Sequence, residues 1–502
     1  MKKNITFVFA TLITLIGGEC AFAVTDINSY PVKEQSVHSV LVDEETVPTL
    51  DRVEQAAINS TNSGTQLKSA KTLSEALDIS LQKTSVIKGG VSSSAPVTVD
   101  DCVKTALANH PSIEYYKMNA EAMKTKIGQA WSAFFPKIGI DLNYSRNDML
   151  TTAFSIPKQK YNMFYAPSIT ANMMLFDFGK TKAAADYAKK MYKASEDSVQ
   201  MSINDVIFDV KQSYYNLLYA METEKVYTDN VRDIEMHLEQ AKAFYLIGTK
   251  AKIDVLTAEH ELGQAKLNLI KAKNNVKLAY AKLNDSMGLP ENGEYTIAES
   301  LETRKYDIDF DNMKEVAYST RPELLAAQKQ ADAAGLAVRA AKRAFLPDIV
   351  AFGSFTSGGV EVNKDTGYQI GGGLSYSGFN AMLLKKQADE AKAVYKRSEA
   401  ELAKTKQGVY LEVKQAYIQF VNAKDSIPVA QLSMIQAKEQ YDLAAGRYKV
   451  GLGNAIELKD AEVSYRDAQL NYYSVLTNYN VAAADLERVT GAPIDTAEKT
   501  DL

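Results

Sequence analysis

The sequence predicts a mainly α-helical protein with a β-barrel part, made of two copies of one structural unit. Three observations support this prediction. Most of the chain is repeated at an offset of about 200 residues, far beyond the period of a solenoid. Each copy contains runs of alternating apolar and polar residues. Each copy also contains helical patterns too long for the core of one ordinary domain.

The repeat is visible in several matched segments. The Phe-x-Pro segment at 134–138 returns at 345–349, an offset of 211 residues (134 to 345). The Tyr-x-x-Gly segment at 245–248 returns at 448–451, an offset of 203 residues (245 to 448). A change of eight residues in a loop-like stretch between them reconciles the two offsets. The chain therefore contains two copies of a whole structural unit.

The start of the chain indicates export. Residues 1–23 have the basic start, apolar run and Ala-x-Ala cleavage site of a signal peptide. That apolar run is too short to span a bilayer as a helix, and no later window is long and apolar enough. Residues 24–96 form a polar extension, for which a flexible segment is favoured over a folded binding module; a short helix at 73–81 is compatible with the pattern. The formal net charge of −5 gives no reason to expect nucleic acid.

The rest of the chain divides by the repeat into a first unit at 97–290, a connection at 291–311, a second unit at 312–493 and a tail at 494–502. Each unit has the same predicted plan: a helix of about twenty residues, a β-hairpin, a very long helix, a tight turn and a return helix. Pro136 and Pro347 mark the step from the first helix to the first strand of each unit.

Four strand-like runs are predicted in each chain. In the clearest two, at 138–145 and 368–376, apolar residues alternate with small or polar ones, so each strand has one apolar face. Less regular runs at 165–178 and 349–356 would pair with them. On an exported chain without a hydrophobic helix, this alternation indicates membrane β-strands. Four strands cannot close a barrel without leaving backbone groups unsatisfied in lipid, so the sequence predicts an oligomer.

The longest predicted helices are at 180–245 and 381–448. In the first, apolar residues step by 4 and 3 from Val199 to Met221, and again from Tyr227 to Tyr245 after one break in phase. This spacing is typical of a coiled-coil seam. A helix of about 66 residues extends roughly 100 Å, which no single-domain core can cover.

Such helices must pack laterally against other helices. The partners within the chain are the return helices predicted at 253–287 and 456–489, which make two antiparallel hairpins. Further partners would come from other chains. Pro428 falls inside the second long helix, where it is expected to kink or break the helix.

The order of the motifs resembles the TolC-like outer-membrane efflux protein family, also called outer-membrane factors, over about residues 97–493. The resemblance rests on Ala108–Pro111 with its echo at Thr320–Pro322, on Leu175–Lys180 between strand and helix, and on the duplicated Phe-x-Pro and Tyr-x-x-Gly segments. The family implies a homotrimer whose chains together close a twelve-stranded barrel in the outer membrane and a tunnel of helices in the periplasm.

The same resemblance implies a function and a set of partners. Members of the family are exit ducts of tripartite efflux pumps or type I secretion systems in Gram-negative-type cells. They contact outer-membrane lipid and a periplasmic adaptor (membrane fusion) protein, which joins them to an inner-membrane pump or ABC transporter. The residues alone leave two alternatives, a periplasmic coiled-coil adaptor and a structural protein of the cell envelope. An adaptor would carry one hairpin rather than two, and a fibrous protein would lack the alternating strands.

The turns between the long and return helices contain the candidate functional residues. Gly248 and Gly451 lie where the chain must reverse, and glycine suits a left-handed helix cap. Glu457 and Asp460 are three residues apart at the start of the second return helix, so they project from one face. Around a threefold axis they would form an acidic ring like those of cation-selective constrictions. The residues alone fit helix capping equally well, because Asn454-x-x-Glu457 also matches a capping box.

The resemblance implies a gate at these turns. It matches Glu457 and Asp460 to an aspartate ring at the periplasmic entrance, and Tyr448 with Asp254 to a link that holds the entrance shut. The family arginine near this turn is matched by Gly453. This departure predicts a weaker closed state or another latch, which Lys250 or Lys252 could provide. Packing of Tyr448 between helices is an equally good interpretation.

Other chemistry is sparse in the sequence. The four histidines have no metal-ligand spacing: His38, His110, His237 and His260. No nucleophile, base and orienting residue come together, so we expect neither an enzyme nor a cofactor or metal site. Trp131 precedes a strand and fits either a membrane interface or a packed core.

Overall fold

The computed structural model describes residues 96–145, 164–249, 251–289, 295–297, 301, 306, 308–358, 365–376 and 380–494. The predicted signal peptide, almost all of the polar extension with its possible helix at 73–81, and the connections within both β-hairpins lie outside these residues.

The two repeats contain the same elements in the same order. The first has helix α1 (Val99–Asn109), α2 (Pro111–Trp131), strands β1 (Lys137–Ser145) and β2 (Phe164–Phe176), α3 (Lys180–Leu246) and α4 (Lys252–Ser286). The second has α5 (Phe310–Thr320), α6 (Pro322–Arg343), strands β3 (Asp348–Gly358) and β4 (Asp365–Ser375), α7 (Ala381–Lys449) and α8 (Ala455–Thr490). The predicted class is confirmed: within the described residues, the chain is mainly helical and duplicated, with long hairpins and four strands.

The short helices α1 and α5 were not predicted as separate elements. Each is separated from the next helix by an X-Pro step, because the residue before a proline is pushed out of the helical region. His110 before Pro111 and Arg321 before Pro322 accordingly have extended backbone angles. At the other end of α1, Thr98 and Asp101 form a capping box. Proline at the first helical position and this box together define the boundaries.

The expected break at Pro428 is wrong. Helix α7 runs without interruption from Ala381 to Lys449, with Pro428 inside it. Proline removes one backbone hydrogen bond and crowds the preceding turn. The flanking turns are nevertheless held in place, because Ala423 and Ala430 are buried on either side of the proline. Long-range packing of α7 against α8 and α6 therefore outweighs the local penalty.

Each repeat has its own hydrophobic core where its short, long and return helices meet. The first is centred on Tyr214 and Leu217 of α3 with Leu283 of α4. The second is centred on Phe420 of α7 with Tyr479 of α8. The predicted seam of α3 is buried in the first core and further along the helix, at Val206, Val210, Tyr214, Leu217, Val231, Ile234, Leu238 and Ala241. Tyr245 is instead exposed at the end of the helix.

The four strands form one antiparallel sheet in the order β1-β2-β3-β4. Strand β2 of the first repeat pairs with β3 of the second, so the sheet joins the repeats. The helices join them as well, because α3 packs against both α6 and α8 of the second repeat. Within the described part of the chain, no helix has a stretch long and apolar enough to cross a membrane.

Candidate functional site

One face of the sheet is apolar and exposed. Residues paired across antiparallel strands point to the same face, and the register aligns apolar residues of all four strands. One such row is Ile140, Ile169, Phe355 and Tyr368; the next is Ile138, Ala171, Gly353 and Ile370. The large side chains of these rows are exposed, and Ile370 reaches 84%. An exposed apolar surface that crosses a whole sheet indicates a contact with something apolar.

The opposite face of the sheet consists mostly of polar residues and glycine, with Met174, Val350 and Phe352 among its large apolar residues. Its rows alternate with the apolar ones, and two of them are Gly139, Thr170, Ser354 and Gln369, and Asp141, Ser168, Thr356 and Gly367. Among the described strands, β1 and β4 are at the edges and each has one paired neighbour. The strand prediction of one apolar and one polar face thus corresponds to the observed register.

The two hairpin turns have the same geometry. Gly248 and Gly451 adopt φ angles of +74° and +78°, in the left-handed region that glycine tolerates. The N–H of Gly248 donates to the Tyr245 carbonyl at 3.0 Å, and that of Gly451 donates to the Tyr448 carbonyl at 3.0 Å. Each long helix thus ends in a glycine cap, which lets the chain reverse at once into its return helix.

The acidic pair lies at the start of α8. Both Glu457 and Asp460 are exposed, whereas Leu458 between them is buried. Asn454 caps this helix by accepting from the Ile456 N–H at 3.1 Å. The Glu457 carboxylate instead lies 3.2 Å from Arg447 Nη1, across the turn. Its observed partner is therefore a cation at the end of α7 rather than the start of its own helix.

Tyr448 is packed between helices, and it is also close to an acid. It is only 4% exposed, and its ring lies edge-on to Phe244 at 6.2 Å and to His237 at 6.3 Å between ring centroids. Burial raises the pKa of the Tyr448 hydroxyl, and the negative charges of Asp254 and Glu261 raise it further. Asp254 itself caps α4 by accepting from the Ala251 N–H at 3.2 Å. Tyr448 thus packs between helices, and its role in a link with Asp254 stays a prediction.

The family can now be assigned from the sequence. The family model described as outer membrane efflux protein matches residues 102–289 and 315–492, one segment in each repeat. The chain belongs to the outer membrane efflux protein family. The family match argues against the two alternative hypotheses, a periplasmic adaptor and a structural protein of the cell envelope.

Individual efflux proteins are similar over most of the chain. Toxin and drug export protein A of Aggregatibacter actinomycetemcomitans is 25% identical over 322 residues, which cover 62% of this chain and 68% of that protein. Outer membrane protein TolC of Escherichia coli K12 is 21% identical over 403 residues, or 77% and 80% of the two chains. The crystal structure of the Campylobacter jejuni CmeC outer membrane channel matches with a TM-score of 0.68 and 18% identity, covering 80% of this chain and 87% of CmeC. This structural similarity shows that the chain also shares the fold of that channel.

The structure gives a reason why this efflux protein has glycine at position 453. A Cβ atom there would lie 2.7 Å from the backbone nitrogen of Tyr448 and 3.0 Å from the carbonyl carbon of Arg447. The Gly453 N–H donates to the Arg447 carbonyl at 2.9 Å, which holds the turn tightly against α7. Of the two suggested substitutes for the family arginine, Lys250 lies outside the described residues and Lys252 is exposed at the start of α4. The cation that pairs across this turn is Arg447.

Sequence reasoning missed a set of polar contacts between the two hairpins of the efflux protein. Lys459 of α8 lies 2.7 Å from Glu261 of α4. One turn further along α8, Glu462 accepts a hydrogen bond from the Asn230 side chain of α3. These pairs join residues about 200 positions apart, so no local pattern could reveal them. The one available signal was that Glu462 is the repeat counterpart of Glu259, an exposed residue of α4.

Proposed function

We propose that this protein is a trimeric outer-membrane channel, the exit duct of a tripartite efflux pump or a type I secretion system. Membership of the outer membrane efflux protein family supports the role in export. The observation that carries the proposal is the continuous apolar face of the sheet, backed by a polar face. Lipid on the outside and water on the inside of a closed barrel would account for both faces. The proposed role needs no catalytic residue.

The proposed trimer is supported by contacts that occur once among the described residues although the repeat offers them twice. Helix α6 packs on α3, α8 packs on α3, and β3 pairs with β2. The repeat counterparts of these contacts would join α2 and α4 to α7, and β1 to β4. A neighbouring copy would supply them by a head-to-tail arrangement, and a ring of such copies closes. Three copies of four strands give the twelve strands that the family resemblance implies.

The surfaces left for these contacts carry exposed apolar side chains. They are Tyr115 and Met118 on α2, Leu267, Ile270 and Leu278 on α4, and Tyr410, Leu411, Ile418, Val429, Leu432 and Ile435 on α7. Apolar stripes on such long helices are costly in water and favour burial against another chain.

The proposed interface can be tested by cross-linking two copies at quasi-equivalent positions. Asn230 and Glu462 are hydrogen-bonded within the chain, and their repeat counterparts are Ser433 and Glu259. We expect a Glu259→Cys/Ser433→Cys chain treated with a short bis-thiol reagent to give covalent dimers and trimers on a denaturing gel. Each single-cysteine chain should stay monomeric there, and Cys102 is fully buried and so protected. Monomers only, from the doubly substituted chain, would contradict the arrangement.

The end of the sheet nearest the helices is proposed to mark one membrane boundary. Trp131, Phe135, Phe176 and Phe178 are all exposed there, next to the helix–strand junctions. Aromatic side chains favour the level of the lipid headgroups. This position leaves the two long helices and the two return helices on the periplasmic side. Such an arrangement fits an outer-membrane protein that has a large periplasmic part.

The hairpin turns are proposed to receive the periplasmic adaptor, which joins the channel to an inner-membrane pump or ABC transporter. Exposed aliphatic side chains cluster at both turns: Leu246, Ile247 and Ile253 at the first, and Val450, Leu452 and Ile456 at the second. An aliphatic tip rimmed by polar residues fits a helical partner that docks end to end. The cargo is then selected by the pump rather than by this chain.

The same turns are proposed to form the periplasmic gate. In a trimer, Glu457 and Asp460 would give six carboxylates around the axis, three of which are partly neutralised by Arg447. Such a ring attracts and retains cations. Tyr448 and Asp254, one on each hairpin, would help to hold the entrance shut.

Single-channel current in planar bilayers tests the channel and the ring together. We expect cation-selective current from the wild type and a severalfold loss of cation preference in a Glu457→Gln/Asp460→Asn double variant, since fixed charge in a constriction sets selectivity. A Glu439→Gln chain, with one exposed carboxylate of α7 removed, is the control and should keep its selectivity. Unchanged selectivity in the double variant would contradict the gate role. Absence of trimers from membrane fractions of the wild type would contradict the trimeric channel.

A further inference from the structure

Within the described residues, three polar contacts join the two hairpins of one chain in the half of the helices nearer the turns. Lys459 and Glu261 form an ion pair at 2.7 Å. Asn230 donates a hydrogen bond to Glu462. The Tyr441 hydroxyl of α7 lies 3.4 Å from the Asp233 carboxylate of α3, at the outer limit of a hydrogen bond. All three contacts link the first hairpin to the second, so all three must be broken when the tips move apart.

Glu462 is the only carboxylate of the three contacts without a cation or hydroxyl as its direct partner. Glu261 has Lys459, and Asp233 has the Tyr441 hydroxyl and lies 3.9 Å from Arg232. The hydrogen bond of Glu462 comes from a neutral amide, and Arg466 on the next turn is engaged with Asp467 at 3.2 Å. Asp233 is three residues from Asn230 on α3, and Lys459 is three residues from Glu462 on α8, so each pair shares a helix face. The contacts of Asn230 and Lys459 therefore bring the partly buried Glu462 near two other carboxylates across the hairpin interface.

We propose that these three contacts form a proton-controlled clasp, in which a protonated Glu462 keeps the hairpin tips together and an ionised Glu462 releases them. The proposal rests on the gating role inferred above and adds to it a second, separate set of links. Release would follow from charge: three carboxylates on one small interface repel one another and lose water on burial. Protonation of Glu462 removes one of these charges and keeps its hydrogen bond to Asn230 possible.

The titration of Glu462 agrees with this geometry. Burial and the charges of Asp233 and Glu261 together raise the pKa of the Glu462 carboxyl from 4.5 to about 7, against the opposing effect of Arg466. A pKa that is higher in the joined state means that proton binding favours that state. The stabilisation is complete below pH 4.5 and is lost as the pH rises through about 7. Raising the pH therefore loosens the clasp.

The other titratable groups facing this interface have predictable effects. Burial raises the pKa of Asp233, so it acts in the same direction as Glu462. Burial lowers the pKa of His237 on α3, so its protonation opposes the joined state in acid. Tyr441 stacks on Tyr465 at 5.8 Å, and burial raises the pKa of both hydroxyls, which keeps them neutral throughout. Above pH 6.5 the response should therefore come from Glu462.

Distance measurements between the tips test the clasp without relying on conduction. Spin labels at Leu246→Cys and Leu452→Cys, both exposed tip positions, report the separation of the hairpins in full-length protein diluted with unlabelled chain. We expect the ratio of separated to joined tips to rise about three- to fourfold between pH 6.5 and pH 8. In a Glu462→Gln background the rise should vanish and the tips should stay joined. A Glu439→Gln background, with an exposed carboxylate removed from α7, should respond as the unmodified chain.

The outcomes separate the clasp from the channel. A distance distribution that is independent of pH, or equally dependent on pH in the Glu462→Gln chain, would overturn the clasp even if the protein conducts current. A shift that disappears only in the Glu462→Gln chain would support the clasp even if the bilayer experiment gave no current.

Discussion

Replacing Ile370 by lysine is expected to prevent stable assembly of the protein in the outer membrane. Ile370 is 84% exposed on the apolar face of the sheet, in the row that contains Ile138. If this face meets lipid, a lysine near the middle of the bilayer costs about 2–4 kcal/mol per chain. A trimer would incur that cost three times. The expected result is a loss of most of the heat-resistant oligomer from outer-membrane fractions, measured on gels of unheated samples.

A control for this change lies one residue away on the same strand. Gln369 is paired with Ser354 and points to the polar face, where a water-filled interior would accept a charge. A Gln369→Lys chain should therefore assemble as the wild type does. Because both variants add the same charge to the same strand, a difference between them would come from the face of the sheet on which the lysine lies. Equal loss of oligomer in both variants, or normal assembly of the Ile370→Lys chain, would contradict lipid contact on the apolar face.

The larger features of the fold could be predicted because the sequence states them twice. The α3 seam, with Val206, Val210, Tyr214 and Leu217 at regular spacing, is one such pattern, and it is buried in the structure. The predictions that failed or were missing depended on local signals or on tertiary packing. Helices α1 and α5 are short, and their boundaries rest on single X-Pro steps. Pro428 is a strong local signal that the packing of a 69-residue helix overrides.

The candidate site likewise contains some features that could be predicted from the sequence and others that could not. Gly248 and Gly451 could be found from sequence because a reversal at the end of a helix needs a left-handed residue. The partner of Glu457 could not, because the capping box was an equally good local explanation and Arg447 competes for the same carboxylate. The contacts of Glu462 and Lys459 depend on how α8 lies against the first hairpin. That arrangement is set by long-range packing of the helices and not by any residue near the turn.

Replacing Gly453 by arginine, the residue that the family resemblance matches to this position, is expected to open the gate rather than to lock it. Any side chain at this position must displace the backbone of Arg447 and Tyr448, which lie within 3.0 Å of an added Cβ. Overpacking of this kind costs about 1–3 kcal/mol. The end of α7 would be loosened where Tyr448 packs against Phe244 and His237. We therefore expect Gly453→Arg to raise the open fraction of the channel about tenfold, measured as single-channel open probability.

The charge added by Gly453→Arg must be distinguished from the strain that it causes. Leu452 is the preceding residue and is 79% exposed, so Leu452→Arg adds the same charge to the same turn without that collision. Because an arginine near Glu457 could also strengthen a closed entrance, the two explanations predict opposite signs. Strain predicts a higher open probability for Gly453→Arg and little change for Leu452→Arg. A lower open probability for Gly453→Arg would mean that the turn rearranges to form the family link, and that Gly453 leaves the entrance of this protein less firmly closed than that of its relatives.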